Sequence, residues 1–112
     1  MIGFSRGDSV LIAYLFSDEL GAKRRPAVIV STGEYQNARQ EVVVAAITSN
    51  VRRHLFGDRA IADWQGAGLL FPSTVTAILR TIKHSMIARK LGSMASADLQ
   101  LFSSDLRRAL GL

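Results

Sequence analysis

Cysteine is absent from the 112 residues, which excludes a disulfide, a thiolate zinc site and a cysteine nucleophile. Histidine is scarce. His54 and His84 lie far apart in the chain, so no local histidine pair exists to hold a catalytic metal. The longest uncharged stretch, residues 64–79, contains Gln65, two glycines and Pro72, and is too short and too polar to span a bilayer. No apolar run of signal-peptide length precedes Asp8. There is no internal repeat, low-complexity segment or Pro/Ser-rich linker, and no G-x-G-x-x-G, Walker loop or carboxylate pair at metal spacing. Together these absences predict a single domain over residues 1–112, soluble and cytoplasmic, with no membrane segment and no cofactor.

Hydrophobic residues make up 48% and charged residues 21%, the balance of a globular domain with a core of its own. The charge is one-sided. Fourteen basic residues against nine acidic ones leave +5, and eleven of the fourteen are arginine. A planar guanidinium forks onto phosphate oxygens, so an arginine-rich excess leans toward nucleic acid, although basic surfaces also occur without a ligand.

Short elements follow one another along the chain. Residues 8–16 (DSVLIAYLF) are apolar, β-branched at Val10 and Ile12, and too short for a helix; they read as a buried strand. Residues 17–24 read as an exposed loop, and Arg25-Pro26 opens a second strand through AVIVST, since the residue before proline is pushed to extended geometry. Residues 33–40 read as another polar loop, and residues 41–48 (EVVVAAIT) as a third strand. Loops this short leave no room for crossover helices, so the pairing is expected to be antiparallel. A basic loop over 49–59 leads to a short fourth strand (AIADW), then to a fifth over 75–82. Residues 85–92 read as one helical turn closed by Gly92. Ser96 is the expected N-cap of a last helix in which Leu99, Phe102, Leu106 and Leu110 recur at helical spacing and Gly111 closes the end. The expected architecture is a mainly β (β plus α) fold: a small antiparallel barrel of five or six strands with a C-terminal helix.

Several groups of residues carry two readings. Lys23-Arg24-Arg25 is either a solvated basic loop or a phosphate clamp in which pre-proline geometry holds Arg25 still. Thr48 and Ser49 are either turn chemistry or hydroxyl donors to a phosphate. Arg52-Arg53-His54 is either a surface charge run or part of a groove that tracks a nucleic-acid backbone, and His54 a surface side chain or a general base. Asp63-Trp64 reads as a strand end packing its indole; Met86, Met94 and Phe102 read as core.

Taken in order, the motifs resemble the MazF/PemK family of bacterial toxins, the ribonuclease partners of type II toxin–antitoxin pairs. Arg6-Gly7-Asp8 before a hydrophobic strand resembles that family's R-G-D-V start, and residues 23–31 (KRRPAVIVS) its (K/R)-R-P-A-L-V-V-S stretch. Residues 44–49 (VAAITS) match its V-A-A-I-T-S strand. Gly68-Leu69-Leu70 with Pro72-Ser73, Arg80-Thr81-Ile82, and Arg89-Lys90-Leu91-Gly92 are similar to its G-L-L-x-P-S-x-V, R-T-I and R-K-L-G segments. Two positions depart from the pattern: Phe71 precedes Pro72 where relatives are often basic or polar, and Thr76 stands where many have arginine.

The resemblance implies an SH3-like barrel of the CcdB/PemK type, dimeric, cutting single-stranded RNA without a metal. It carries catalysis to Arg25 and Thr48, and RNA contact to Lys23, Arg24, Ser49, Asn50, Arg52, Arg53, His54 and Ser73. The implied chemistry is attack by the ribose 2′-hydroxyl on the adjacent phosphate, leaving a cyclic phosphate and a 5′-hydroxyl. The implied partners are single-stranded RNA, a second copy of the chain, and a cognate antitoxin from the same operon, whose complex with the toxin binds DNA. Two other readings stay open: a non-catalytic RNA- or DNA-binding barrel, and a toxin of this fold that acts on a protein such as a gyrase.

Overall fold

The two valine-rich runs form the centre of the sheet. In the computed structural model, which describes residues 3–15 and 22–112, β2 (Ala22–Ile29) and β3 (Glu41–Thr48) lie side by side. They are flanked by β1 (Asp8–Leu15) and β5 (Thr74–Lys83), with the two-residue β4 (Arg59–Ala60) and β6 (Ile87–Ser93) at the edges. The order is β4-β5-β3-β2-β1-β6, with every neighbouring pair antiparallel. The fold is mainly β, as expected, but the sheet is not closed: β4 and β6 do not pair. β4 is too short to carry a ladder across, and the chain after it meets β6 through turns instead. There Gly68, at φ +76°, lies so close to Leu91 that a Cβ would stand 2.0 Å from its carbonyl oxygen.

β2 buries three consecutive residues, Ala27 to Ile29, and β3 buries one face in its first half and the other in its second, so neither run reads as simple apolar/polar alternation. In β2, Val28 packs in one cluster with Ala45, Ile47, Val75 and Phe102, while Ala27 and Ile29 face a second with Val10, Ile12, Val42 and Val44. β3 changes sides at the consecutive buried pair Val44-Ala45. β5 is bulged beside that point, since Ala45 pairs with Leu79 but Ile47 with Val75. Thr76 repairs the bulge. Its hydroxyl donates to the Ala46 carbonyl at 2.8 Å and accepts from the Ile78 N–H at 3.2 Å.

The C-terminal helix α2 (Ser96–Leu110) buries Phe102 and Leu106 against the first cluster. Two carboxylates on the same side fix it. Asp98 accepts from the Ala62 and Asp63 N–H groups at 3.0 and 2.9 Å, and Asp105 takes Arg59 bidentately at 2.8 and 3.0 Å. That hydrogen bond, and then the Asp105 charge, hold the Arg59 guanidinium above its ordinary pKa. Gly111 closes the helix in the left-handed conformation, as expected. Ser96 is inside the helix rather than capping it; the N-cap is Ala95, with no side-chain cap, and the acidic first-turn residue is Asp98.

Four boundaries differ from the sequence expectation. β2 starts at Ala22, so Ala22 to Arg24 are strand rather than loop, and Pro26 is interior to the strand. The stretch expected as a loop over 33–40 contains a helix, α1 (Gly33–Arg39), capped by the Thr32 hydroxyl accepting from Tyr35 N–H at 3.2 Å. It lacks an apolar stripe; its one buried side chain is Gln36, whose amide donates to the Ser31 carbonyl at 3.2 Å. The segment expected as one helical turn is a 3-10 turn at His84–Met86 followed by β6, drawn straight by pairing with β1. The strand expected through AIADW ends at Ala60 and gives way to turns. The expected end of the first strand at Phe16 and the loop over 17–21 lie outside the described residues. Among the described residues no helix is long and apolar enough to cross a membrane.

Candidate functional site

Pro26 shapes the site through the hydrogen bond it lacks. β2 pairs with β3 at Ala27↔Ala46, Val28↔Ala45 and Ile29↔Val44, whereas it pairs with β1 from Val28 back to Ala22. Proline brings no N–H to a ladder, and among the described residues β1 is the only strand paired with the stretch from Pro26 back to Ala22. Extending the β2–β3 register by two residues points Arg25 toward Thr48. The ends of the two strands that do not pair with each other border a groove of about 1090 Å³.

Arg24, Arg25, Thr48, Ser49, Arg53 and Ser73 all line this groove. Arg24 and Arg25 are exposed. The Thr48 hydroxyl accepts from the Asn50 N–H at 3.1 Å, a turn contact that leaves its proton to donate elsewhere. Thr48 thus makes the turn contact and also lines the groove. Arg53 is clamped by Asp58 at 2.8 and 3.4 Å, and Asp58 also accepts from the Leu55 N–H, so the basic loop is internally braced. The Ser73 hydroxyl donates to the Phe71 carbonyl at 2.7 Å.

Asn50, Arg52 and His54 are exposed on the same loop and do not line the groove. Lys23 lies in β2, with its side chain outside what the structure describes. The groove also holds residues that sequence reasoning gave no role. Arg80 reaches it from β5 and Arg89 from β6, and Leu70, Phe71 and Ile78 supply apolar lining. Strand register was the missing signal: Arg89 is opposite Leu11, and Leu11 is opposite Pro26, which places all three in one row across the sheet. Thr76 lines the groove as well, but it is buried and committed to the β5 bulge.

Among the described residues the groove is thus lined by five arginines and by no aspartate or glutamate. It has hydroxyls beside the guanidiniums and an apolar side beyond them. Among the described residues no group of three or more His, Cys, Asp or Glu comes together as a metal site would require.

Residues 5–110 match the family of PemK-like, MazF-like toxins of type II toxin–antitoxin systems. The chain belongs to that family. Its backbone is similar to an endoribonuclease from a mycobacterial species solved in complex with its cognate antitoxin, at 22% identity and a TM-score of 0.77, covering 98% of this chain and 97% of that one. It is similar to the Mycobacterium tuberculosis toxin MazF-mt6 at 27% identity and a TM-score of 0.72, covering 92% and 96%. It also resembles MazF in a MazE–MazF structure from Deinococcus radiodurans at 17% identity and a TM-score of 0.78, covering 96% of each. No curated protein matches the sequence significantly.

Proposed function

We propose that this chain is an endoribonuclease toxin that cuts single-stranded RNA by attack of a ribose 2′-hydroxyl on the adjacent phosphate. The observation that carries the reading is the convergence of Arg25 and Thr48, from two strands that stop pairing beside Pro26, on a groove lined by arginines. In this chemistry the RNA supplies its own nucleophile. As the bond from the 2′-oxygen to phosphorus forms and the bond to the 5′-oxygen breaks, the 2′-hydroxyl gives its proton to solvent and the leaving 5′-oxygen takes one from it; the protein's part is to stabilise charge on the pentacoordinate phosphorus. Arg25 presents two parallel donors to the non-bridging oxygens, and the Thr48 hydroxyl adds a third. The other groove arginines track the backbone on either side of the scissile bond. The part given to Arg25 is electrostatic, through its charge and its planar fork of donors.

Membership of the family, together with relatives solved beside a cognate antitoxin, supports an antitoxin partner here too. A +5 toxin suits an acidic segment that covers the arginine groove and competes with RNA. The decisive experiment incubates the purified protein with a long unstructured RNA in chelator and maps the ends. The expected products carry a 2′,3′-cyclic phosphate and a 5′-hydroxyl, and Arg25→Ala lowers the rate by on the order of a hundredfold or more. Cleavage that vanishes with chelator, or that survives Arg25→Ala at the normal rate, refutes the assignment. Tight RNA binding without any cutting leaves a binding module instead.

A further inference from the structure

Leu70 and Phe71 are two large apolar side chains held in water, 83% and 62% exposed, on the wall of a groove whose charged lining, among the described residues, is all arginine. They are not on a loose loop. Before them, Leu69 is buried and its N–H donates to the Trp64 carbonyl at 3.1 Å. After them, Ser73 is buried; its carbonyl accepts from the Ile61 N–H at 3.0 Å, and its hydroxyl donates to the Phe71 carbonyl at 2.7 Å. Pro72 confines Phe71 to extended backbone. The exposed ring is therefore mounted on a fixed backbone rather than left over at a fold edge. Phe56 offers a contrast, since the Arg108 guanidinium lies over its ring at 5.4 Å.

A phosphate has no use for a phenyl ring, whereas an unpaired base stacks on one; a nucleotide strand, with its row of phosphates and its bases, uses both the arginines and the ring. We propose that Phe71 is a stacking platform for one unpaired base of the RNA strand that occupies the arginine groove. It acts in binding and in choice of cleavage site, not in the chemical step. The inference rests on the ribonuclease reading, and the arginine lining argues for a polyanion as the occupant.

The test measures binding of short single-stranded RNA, cleavage of the same sequence, and thermal melting for wild type, Phe71→Ala, Phe71→Leu and Phe71→Trp. Removal of one stacking base contact costs on the order of tenfold in affinity, so Phe71→Ala and Phe71→Leu should both lose about that much in RNA affinity, while Phe71→Trp retains it. The loss should appear in KM with kcat little changed, and melting should be unaltered because the ring is exposed. Stacking is not ionic, so the slope of log affinity against log salt should match wild type. An RNA with an abasic residue at the stacked position should bind wild type and Phe71→Ala equally. If wild type cuts RNA but Phe71→Ala binds and cuts it within twofold of wild type, the platform is refuted and the nuclease reading stands. If wild type neither binds nor cuts RNA, that reading fails and takes the platform with it. If Phe71→Ala weakens an acidic partner peptide and leaves RNA binding intact, the ring belongs to a protein interface and the proposal is overturned.

Discussion

Replacing Arg25 by lysine keeps the charge but loses the planar fork, so Arg25→Lys should recover little of the activity lost in Arg25→Ala. Thr48→Ser keeps the hydroxyl and should retain far more activity than Thr48→Val; single-turnover cleavage rates on one RNA separate the two cases. In each, RNA affinity should change much less than rate, because Arg24, Arg53 and Arg89 still line the groove. Thr76 makes a different kind of prediction. Its hydroxyl bonds two backbone groups at the β5 bulge and its side chain is buried, so Thr76→Val leaves the Ala46 carbonyl and the Ile78 N–H without it. The expected loss is about 1–3 kcal/mol of unfolding free energy, read by denaturant titration. The motif comparison marks Thr76 as a departure at a position where relatives often carry arginine; here it is part of the scaffold.

At the scale of elements, α2 is held by carboxylates as much as by its apolar face. Asp98→Ala removes the acceptor for two backbone donors in a buried place, and should destabilise the fold by about 1–3 kcal/mol or more without touching the groove. Phe102→Ala, at the centre of the same contact, should cost about 3–5 kcal/mol. The helix was legible from its spacing and from Gly111. Its anchoring was not, because Asp98 and Asp105 find partners in a segment about forty residues earlier in the chain. α1 was missed for a related reason: its cap and one buried glutamine hold it, and neither leaves an apolar period to count. Gly68 belongs here too. Gly68→Ala would drive a methyl into the Leu91 carbonyl at a left-handed φ, so the turn-to-β6 contact should open and the melting temperature should fall.

For the whole molecule, a shallow groove on a domain of this size fits a strand better when two copies present adjoining sites, so the protein is expected to be a homodimer at micromolar concentration. Light scattering at tens of micromolar in moderate salt checks it, and a monomer mass removes that element. RNA binding should weaken with salt by roughly 0.7 log units per log unit of salt for each phosphate contact, and neutralising Arg24 or Arg89 should flatten the slope by about that amount.

Some of this was written in local chemistry. Arg25-Pro26 and the pair Thr48-Ser49 at the end of a valine-rich run mark the candidate site, and β3 falls where its β-branched residues put it. The antiparallel pairing follows from loops too short for crossovers. What folding alone decided is contact between distant segments. It left the sheet open, because a two-residue β4 carries no ladder to β6. It turned residues 87–93 into a strand, because β1 had a free edge to pair with. It brought Arg80 and Arg89 into the groove through strand register, and left Asn50, Arg52 and His54 outside it. Periodicity records which face of an element is buried; it holds no record of which distant element arrives there, and the lining of a groove is set by that arrival.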